Sequence, residues 1–329
     1  MSRIILIAIL TSLIAFPQSS LADLFEPFST SNLNPFVQVY GIPATRSAYQ
    51  AADGQLNWHL QTEIANNFTE SREDNEVISI DGETWRTNLS LRYGMTERWE
   101  VALDVPYMRH DGGSLDSFIE DWHGWFGLPN GGREDVMDDQ LTYLYQLNGI
   151  TQVDLRDSVS GIGDVSLSVS YLLGNEEDKS WSVRAGVKLP TGDPNDLTGS
   201  DGTDVFMSLH LSDASFFRHD DWYFHGSIGL MVPGDGDIIE GTLEDYVVFG
   251  STTVAWHSWK KVSLKAQLDF HSAMYDSDLK ELDEFAVQLV LGGTVELGEK
   301  LLLDISVSED IVTDASPDVV FQLGLRSRF

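Results

Sequence analysis

The chain has 329 residues, a formal charge of −32, no cysteine, and a composition 42% apolar and 11% aromatic. That acidity excludes a nucleic-acid partner, since phosphate binding demands a basic surface, and the apolar content excludes disorder. The lack of cysteine excludes disulfide scaffolds, thiol catalysis, thiolate metal sites and a lipid-bearing N-terminal cysteine.

Residues 1–22 read as a cleaved secretory signal. Arg3 supplies the positive start, Ile4 to Phe16 the apolar run, and Ser20-Leu21-Ala22 the small residues before the cut, so Asp23 is the expected mature start. The run is shorter than the roughly 20 apolar residues of a helical membrane span. Residues 23–54, punctuated by Asn34-Pro35 and Ile42-Pro43, form an N-terminal segment readable as a lumen plug or a periplasmic tail.

Residues 55–329 are expected to form an all-β, transmembrane, antiparallel up-and-down barrel of about 12 strands. Period-two runs fall near 55–65, 85–94, 98–108, 162–173, 181–190, 203–212, 221–231, 246–256, 260–271, 284–294, 300–308 and 318–329. In the clearest, Val262, Leu264, Ala266, Leu268 and Phe270 alternate with Ser263, Lys265, Gln267, Asp269 and His271. With Phe329 at the periplasm, the connections alternate short and long, as periplasmic turns and extracellular loops do, except that Asp213–Asp220 is long for a turn and 309–317 short for a loop. Residues 66–84, 109–161, 191–202, 232–245 and 272–283 fall outside. Trp58, Trp99, Trp181, Trp222 and Trp256 gather at the periplasmic strand ends as an aromatic girdle. A soluble sandwich or lipocalin-like barrel also alternates, but lacks this parity.

Acid collects outside: Glu70, Glu73, Asp74, Glu76, Asp81 and Glu83 in one loop, Asp193, Asp196, Asp201 and Asp204 in another. The second set offers oxygens to Ca²⁺ without an EF-hand spacing, and solvated loop acid is the plainer reading. In the longest loop Phe118, Ile119, Trp122, Trp125 and Phe126 share one helix face, which either packs on the barrel mouth or forms a gate or apolar-ligand site. Alternation turns charges of both signs inward. Arg92, Arg98, Arg184, Arg326 and Arg328 lie toward the periplasmic end, either as an anion-attracting ring or as part of a salt-bridged, plugged interior. His110 with Asp111 and Ser114, or His271 with Ser272, are the nearest approaches to a lipid-hydrolase site. No nucleophile motif supports them, and no catalytic residue is assigned.

Several stretches resemble a proteobacterial family of outer-membrane proteins known as domain of unknown function 3187. They are Asn34-Pro35-Phe36 with Tyr40-Gly41-Ile42-Pro43, Asp81-Gly82-Glu83-Thr84-Trp85-Arg86, Leu91-Arg92-Tyr93-Gly94, Asp121-Trp122-His123-Gly124 with Gly127-Leu128-Pro129, Ser160-Gly161-Ile162-Gly163-Asp164, Lys188-Leu189-Pro190-Thr191-Gly192-Asp193 and Ser308-Glu309-Asp310. Lys188–Asp193, with Gly199-Ser200 and Gly202-Thr203-Asp204, is also similar to phenol-degradation-pathway outer-membrane transporters. The resemblance implies location and fold, and brings no activity. The expected function is a narrow channel or facilitator for a small solute, apolar or aromatic if the Phe118–Phe126 stripe serves it. A closed structural or adhesive barrel with acidic loops is the alternative, and a lipid enzyme a remote one. Expected partners are outer-membrane lipid, lipopolysaccharide, and the barrel assembly machinery through the C-terminal strand.

Overall fold

Strands that alternate large apolar with small polar residues are two-faced, and a closed barrel is the one sheet that leaves no unpaired edge in lipid. A computed structural model describes residues 26–113, 140–176, 178–216, 221–236, 238–239, 241–311 and 315–327. Its strands are β1 (Leu56–Glu73), β2 (Glu76–Gly94), β3 (Trp99–Asp111), β4 (Thr142–Leu147), β5 (Ile150–Leu155), β6 (Val159–Ile162), β7 (Val165–Glu176), β8 (Lys179–Leu189), β9 (Asp204–Asp213), β10 (Trp222–Val232), β11 (Val247–Trp259), β12 (Val262–His271), β13 (Ala286–Glu296), β14 (Leu301–Asp310) and β15 (Val319–Ser327). Twelve of them form the barrel: β1, β2 and β3, then β7 to β15, every pair antiparallel. β15 returns to β1 with Arg326 opposite His59 and Val319 opposite Asn66. These are the twelve segments the alternation marks out.

The β2–β3, β7–β8, β9–β10, β11–β12 and β13–β14 connections lie at one end; at the other, β8–β9, β10–β11 and β12–β13 have longer connections, while β1 and β2 are joined by two residues only. Outward residues include Leu60, Leu167, Met207, Leu209, Ile228, Leu230, Leu291, Ile305 and Leu323, all exposed, which is the apolar belt that lipid requires. Trp222 stacks on Trp256 at 5.8 Å, and Trp99 lies 4.6 Å from Tyr171, both near the short-turn end.

One expectation fails. Residues 66–84 are not a loop: β1 and β2 run on through them in register, from Asn66 opposite Glu83 to Glu73 opposite Glu76. The turn is only Asp74-Asn75, with Asp74 in the left-handed region at φ 39°. Glu70 and Glu73 face solvent, while Ile78 and Ile80 are buried beside Tyr143 and Tyr145. Packing on that face outweighs the low strand propensity of acidic residues. The stretch 109–161 likewise carries a hairpin, β4 and β5, turning at Asn148-Gly149 with φ of 53° and 75°, the geometry an Asn-Gly hairpin turn requires. β4 extends the sheet beside Glu76–Asp81. The helix expected over Phe118–Phe126 lies outside the described residues, as do residues 1–22, Arg328 and Phe329. A one-turn helix, α1 (Lys280–Asp283), sits between β12 and β13.

The interior has two zones. At the loop end an apolar cap gathers Phe36, Val37 and Tyr40 with Ile78, Ile80, Tyr143, Tyr145, Ile238, Ile239, Met274, Tyr275 and Leu282. Toward the short turns the inner wall is hydroxylated and charged: Ser182, Ser208, Ser212, Ser251, Thr253, Ser263 and Thr294 are buried there with Glu100, Arg184, Lys265, Asp304 and Arg326.

Candidate functional site

Residues 26–51 run inside the barrel as a re-entrant loop held chiefly by side chains of the wall. The rising arm follows β12 in steps of two. The Phe28 amide donates to Gln267 Oε1 at 2.9 Å, Thr30 Oγ1 donates to Asp269 at 2.5 Å, and Asn32 Nδ2 meets His271 Nε2 at 2.9 Å. Because inward residues on a strand recur every second position, an extended segment alongside can be bonded at every second residue. The His271 Nδ1 sits 2.8 Å from the Ser272 carbonyl, so the ring is the Nδ1–H tautomer, accepting from Asn32.

The apex turns at Asn34-Pro35, where the Asn34 carbonyl accepts from the amides of Val37 and Gln38, both at 2.9 Å. Tyr275 donates to the Phe36 carbonyl at 2.7 Å, and the Phe36 ring meets Tyr145 edge-on at 6.4 Å. Phe36 has no exposure at all. The descending arm is bonded by Arg184 to the Ala44 carbonyl at 2.9 Å, by Thr45 to Ser251 at 2.7 Å, and by Ser212 to the Ala48 amide at 2.8 Å.

Both feet stand in an ion network near the short turns. Arg92 is its centre, donating to Glu100 at 2.9 Å, Glu26 at 3.0 Å and the Tyr49 carbonyl at 2.9 Å. Arg46 binds both oxygens of Asp104 at 2.7 Å. Arg326 lies 2.6 Å from Asp304, which Lys265 approaches at 3.2 Å while also donating to the Glu26 carbonyl. Burial by itself raises the Glu26 carboxyl, but Arg92, the Ser47 hydroxyl and Arg326 outweigh it and hold the group at about 2.

A second buried node ties the apex to the loops. Lys188 Nζ lies 2.7 Å from Asp164 and 3.1 Å from Asp204, and donates to the Val39 carbonyl and to Ser200. Asp204 accepts the amides of Gly41 at 2.7 Å and Gly234 at 2.8 Å. Asp164 accepts those of Thr191, Gly192 and Ser200 at 2.8–3.0 Å. Gly41 is required here, because a Cβ would stand 2.9 Å from the Lys188 Cβ. The fragments Tyr40-Gly41, Gly163-Asp164, Lys188–Asp193 and Gly202–Asp204 are far apart in sequence and meet at this one point.

Among the arginines marked by alternation, Arg92, Arg184 and Arg326 are brought together on the inner wall at the re-entrant loop. Arg98 stands apart, in the β2–β3 turn, bonding Tyr171 at the surface at 3.3 Å. Arg328 and the Phe118–Phe126 stripe are outside the described residues. Asp193, Asp196, Asp201 and Asp204 are not gathered: Asp193 caps the 3-10 turn Pro194–Asp196, and Asp204 is committed to Lys188. Among the described residues no group of three or more His, Asp or Glu converges as a metal site. His110 lies between Thr84 and the Leu197 carbonyl, both at 3.1 Å. Alternation alone could not show Arg46, Lys188 and Glu26 as the groups that fasten the loop.

Three cavities of about 70, 50 and 60 Å³ remain beside the re-entrant loop, each with room for a few waters. The first two share Gln38, Tyr40, Ile42, Pro43 and Arg86, so they flank the same stretch of loop.

Among solved structures the chain is similar to the COG4313 outer membrane channel from Pseudomonas putida F1, with a TM-score of 0.54 and 12% identity over 85% of this chain and 98% of that one. It is also similar to the NanC porin, with a TM-score of 0.44 and 9% identity over 84% and 99%. For the Ralstonia pickettii toluene transporter TbuX the TM-score is 0.42 and the identity 8% over 85% and 90%. The first likeness establishes the fold as that of an outer-membrane β-barrel. A comparison with curated proteins finds no match. The family model described as Protein of unknown function (DUF3187) matches residues 3–329, and the chain belongs to that family.

Proposed function

We propose that the protein is an outer-membrane channel or facilitator for a small hydrophilic solute, whose lumen is closed at rest by residues 26–51 acting as a displaceable plug. One observation carries the reading: the lumen is filled by a separable segment, not by side chains growing from the wall. The wall itself is lined by hydroxyls and charges, a surface suited to water. The plug adds no strand to the sheet. The first bridge to the sheet, Asp53 with Gly94, comes after these residues, so they can leave without unzipping the barrel. Export by cleavage after Ala22, an outer-membrane location and contact of the acidic loops with lipopolysaccharide belong to the same reading, as does the absence of enzymatic chemistry. The aromatic-solute version would rest on residues 118–126, outside those described.

The alternative is a permanently closed structural barrel, favoured by the density of the ion network at the feet of the loop. A disulfide separates the two. The chain lacks cysteine, and Thr45 and Ser251 touch through their hydroxyls at 2.7 Å. In planar bilayers, Thr45→Cys with Ser251→Cys should be silent when oxidised and show stable steps when reduced. Equal silence in both states, with the barrel folded, would leave the closed barrel standing.

A further inference from the structure

The cavity of about 50 Å³ between residues 38–46 and strands β2, β3, β7 and β8 has an unusual lining. Arg184 borders it and is only 3% exposed. One of its terminal nitrogens binds the Ala44 carbonyl, its Nε has no partner, and no carboxylate among the described residues reaches ion-pairing distance. Its guanidinium carbon lies 5.6 Å from the Phe206 ring centroid, a contact that attracts the cation without neutralising it. Asp104, on the same cavity, is spent on Arg46 through two 2.7 Å contacts. Arg46 Nη1 and both ends of the Gln38 amide are also buried without partners, and both residues border the cavity.

Three unmet donors therefore surround one small space, and two guanidiniums share one carboxylate. Burying a charge without a counter-ion costs several kcal/mol, and buried polar atoms left unpaired call for a water or an ion. Water meets the hydrogen bonds but leaves the second guanidinium uncompensated. We propose that this cavity binds one small monovalent anion, a halide or a simple carboxylate, held by Arg184 Nε and Arg46 Nη1, with the Gln38 amide as third donor. The site joins the plug, through Gln38 and Arg46, to the wall, through Arg184. It stands whether or not the plug moves, so its test needs no conductance.

Crystals of the full chain grown in sodium bromide should show an anomalous peak between Arg184 and Arg46, and ordinary water density alone would overturn the proposal. In solution, replacing gluconate, too bulky for a cavity of about 50 Å³, by chloride or bromide at constant ionic strength should raise the melting temperature saturably, by a few degrees. Arg184→Met should abolish that increment, and Arg184→Lys should keep part of it. A wild-type melting temperature indifferent to the anion would also sink the assignment, even if both variants fail to fold.

Discussion

The Asp204 carboxylate and the Lys188 ammonium meet at 3.1 Å where the re-entrant loop, two long loops and the β8–β9 strand pair converge. Lys188 is paired with two buried carboxylates, Asp164 and Asp204. Lys188→Met removes the charge and keeps most of the bulk. Leaving buried carboxylates uncompensated should destabilise the folded barrel by about 3–5 kcal/mol. Adding Asp204→Asn should recover part of the loss, because the asparagine oxygen still accepts the Gly41 amide. Denaturant midpoints of the refolded single and double variants measure both. A double variant no better than the single one would show that the ammonium acts through its bond to Val39 instead.

Glu26 gives the re-entrant loop a defined acid limit. Its folded value of about 2 lies below the ordinary value of 4.5, so the charged form is the stabilising one. That contribution is complete above pH 4.5 or so and fades as the pH falls toward about 2. Glu26→Gln should cost on the order of 2–3 kcal/mol between pH 5 and 8. The gap between wild type and variant should close below pH 4.5. Stability curves for the two proteins across that range decide it; a gap unchanged at pH 3 would mean that Glu26 is not held by Arg92.

The barrel was legible in the sequence because lipid and lumen impose opposite demands on successive residues, and that period survives any detail of packing. Residues 66–84 misled because acid reads as a loop signal, whereas Glu70 and Glu73 lie on a solvent face and Glu76 and Glu83 are buried in the extended sheet. The re-entrant loop posed a different problem. Residues 26–51 carry no period, and Phe28, Thr30 and Asn32 are fixed by partners 239 residues away. Alternation placed Arg92, Arg184 and Arg326 inside, yet nothing local shows that they bond the re-entrant loop and its neighbours. Arg98 lies past the end of β2, where the alternation stops at Gly94. The node at Lys188 was visible as separate fragments, and only the barrel's curvature brings them together.

At the apex, Tyr275→Phe keeps the ring and deletes the bond to the Phe36 carbonyl. The buried carbonyl is then unpaired, at a cost of about 1–3 kcal/mol. Phe36→Ala should cost more, about 3–5 kcal/mol, by opening a cavity under the cap. Both should speed amide hydrogen exchange in residues 34–41 while leaving β12 and β13 protected. Uniformly faster exchange throughout the barrel would mean that the apex and the wall unfold as one unit.

The lipid belt can be tested against exposure itself. Leu209 on β9 is 54% exposed and Ile150 at the start of β5 is 68% exposed, so a soluble protein would tolerate a charge at either place. Leu209 lies mid-strand in the barrel wall, whereas Ile150 lies on the hairpin beyond it. In lipid vesicles Leu209→Arg should cost about 2–4 kcal/mol of folding free energy, the penalty for arginine near the bilayer centre. Ile150→Arg should stay within about 0.5 kcal/mol of the parent. Folding titrations of both variants, in vesicles and in water-soluble micelle conditions, compare the two surfaces directly. Equal costs at the two positions would remove the assignment of the β9 outer face to lipid, and with it the membrane reading of the fold.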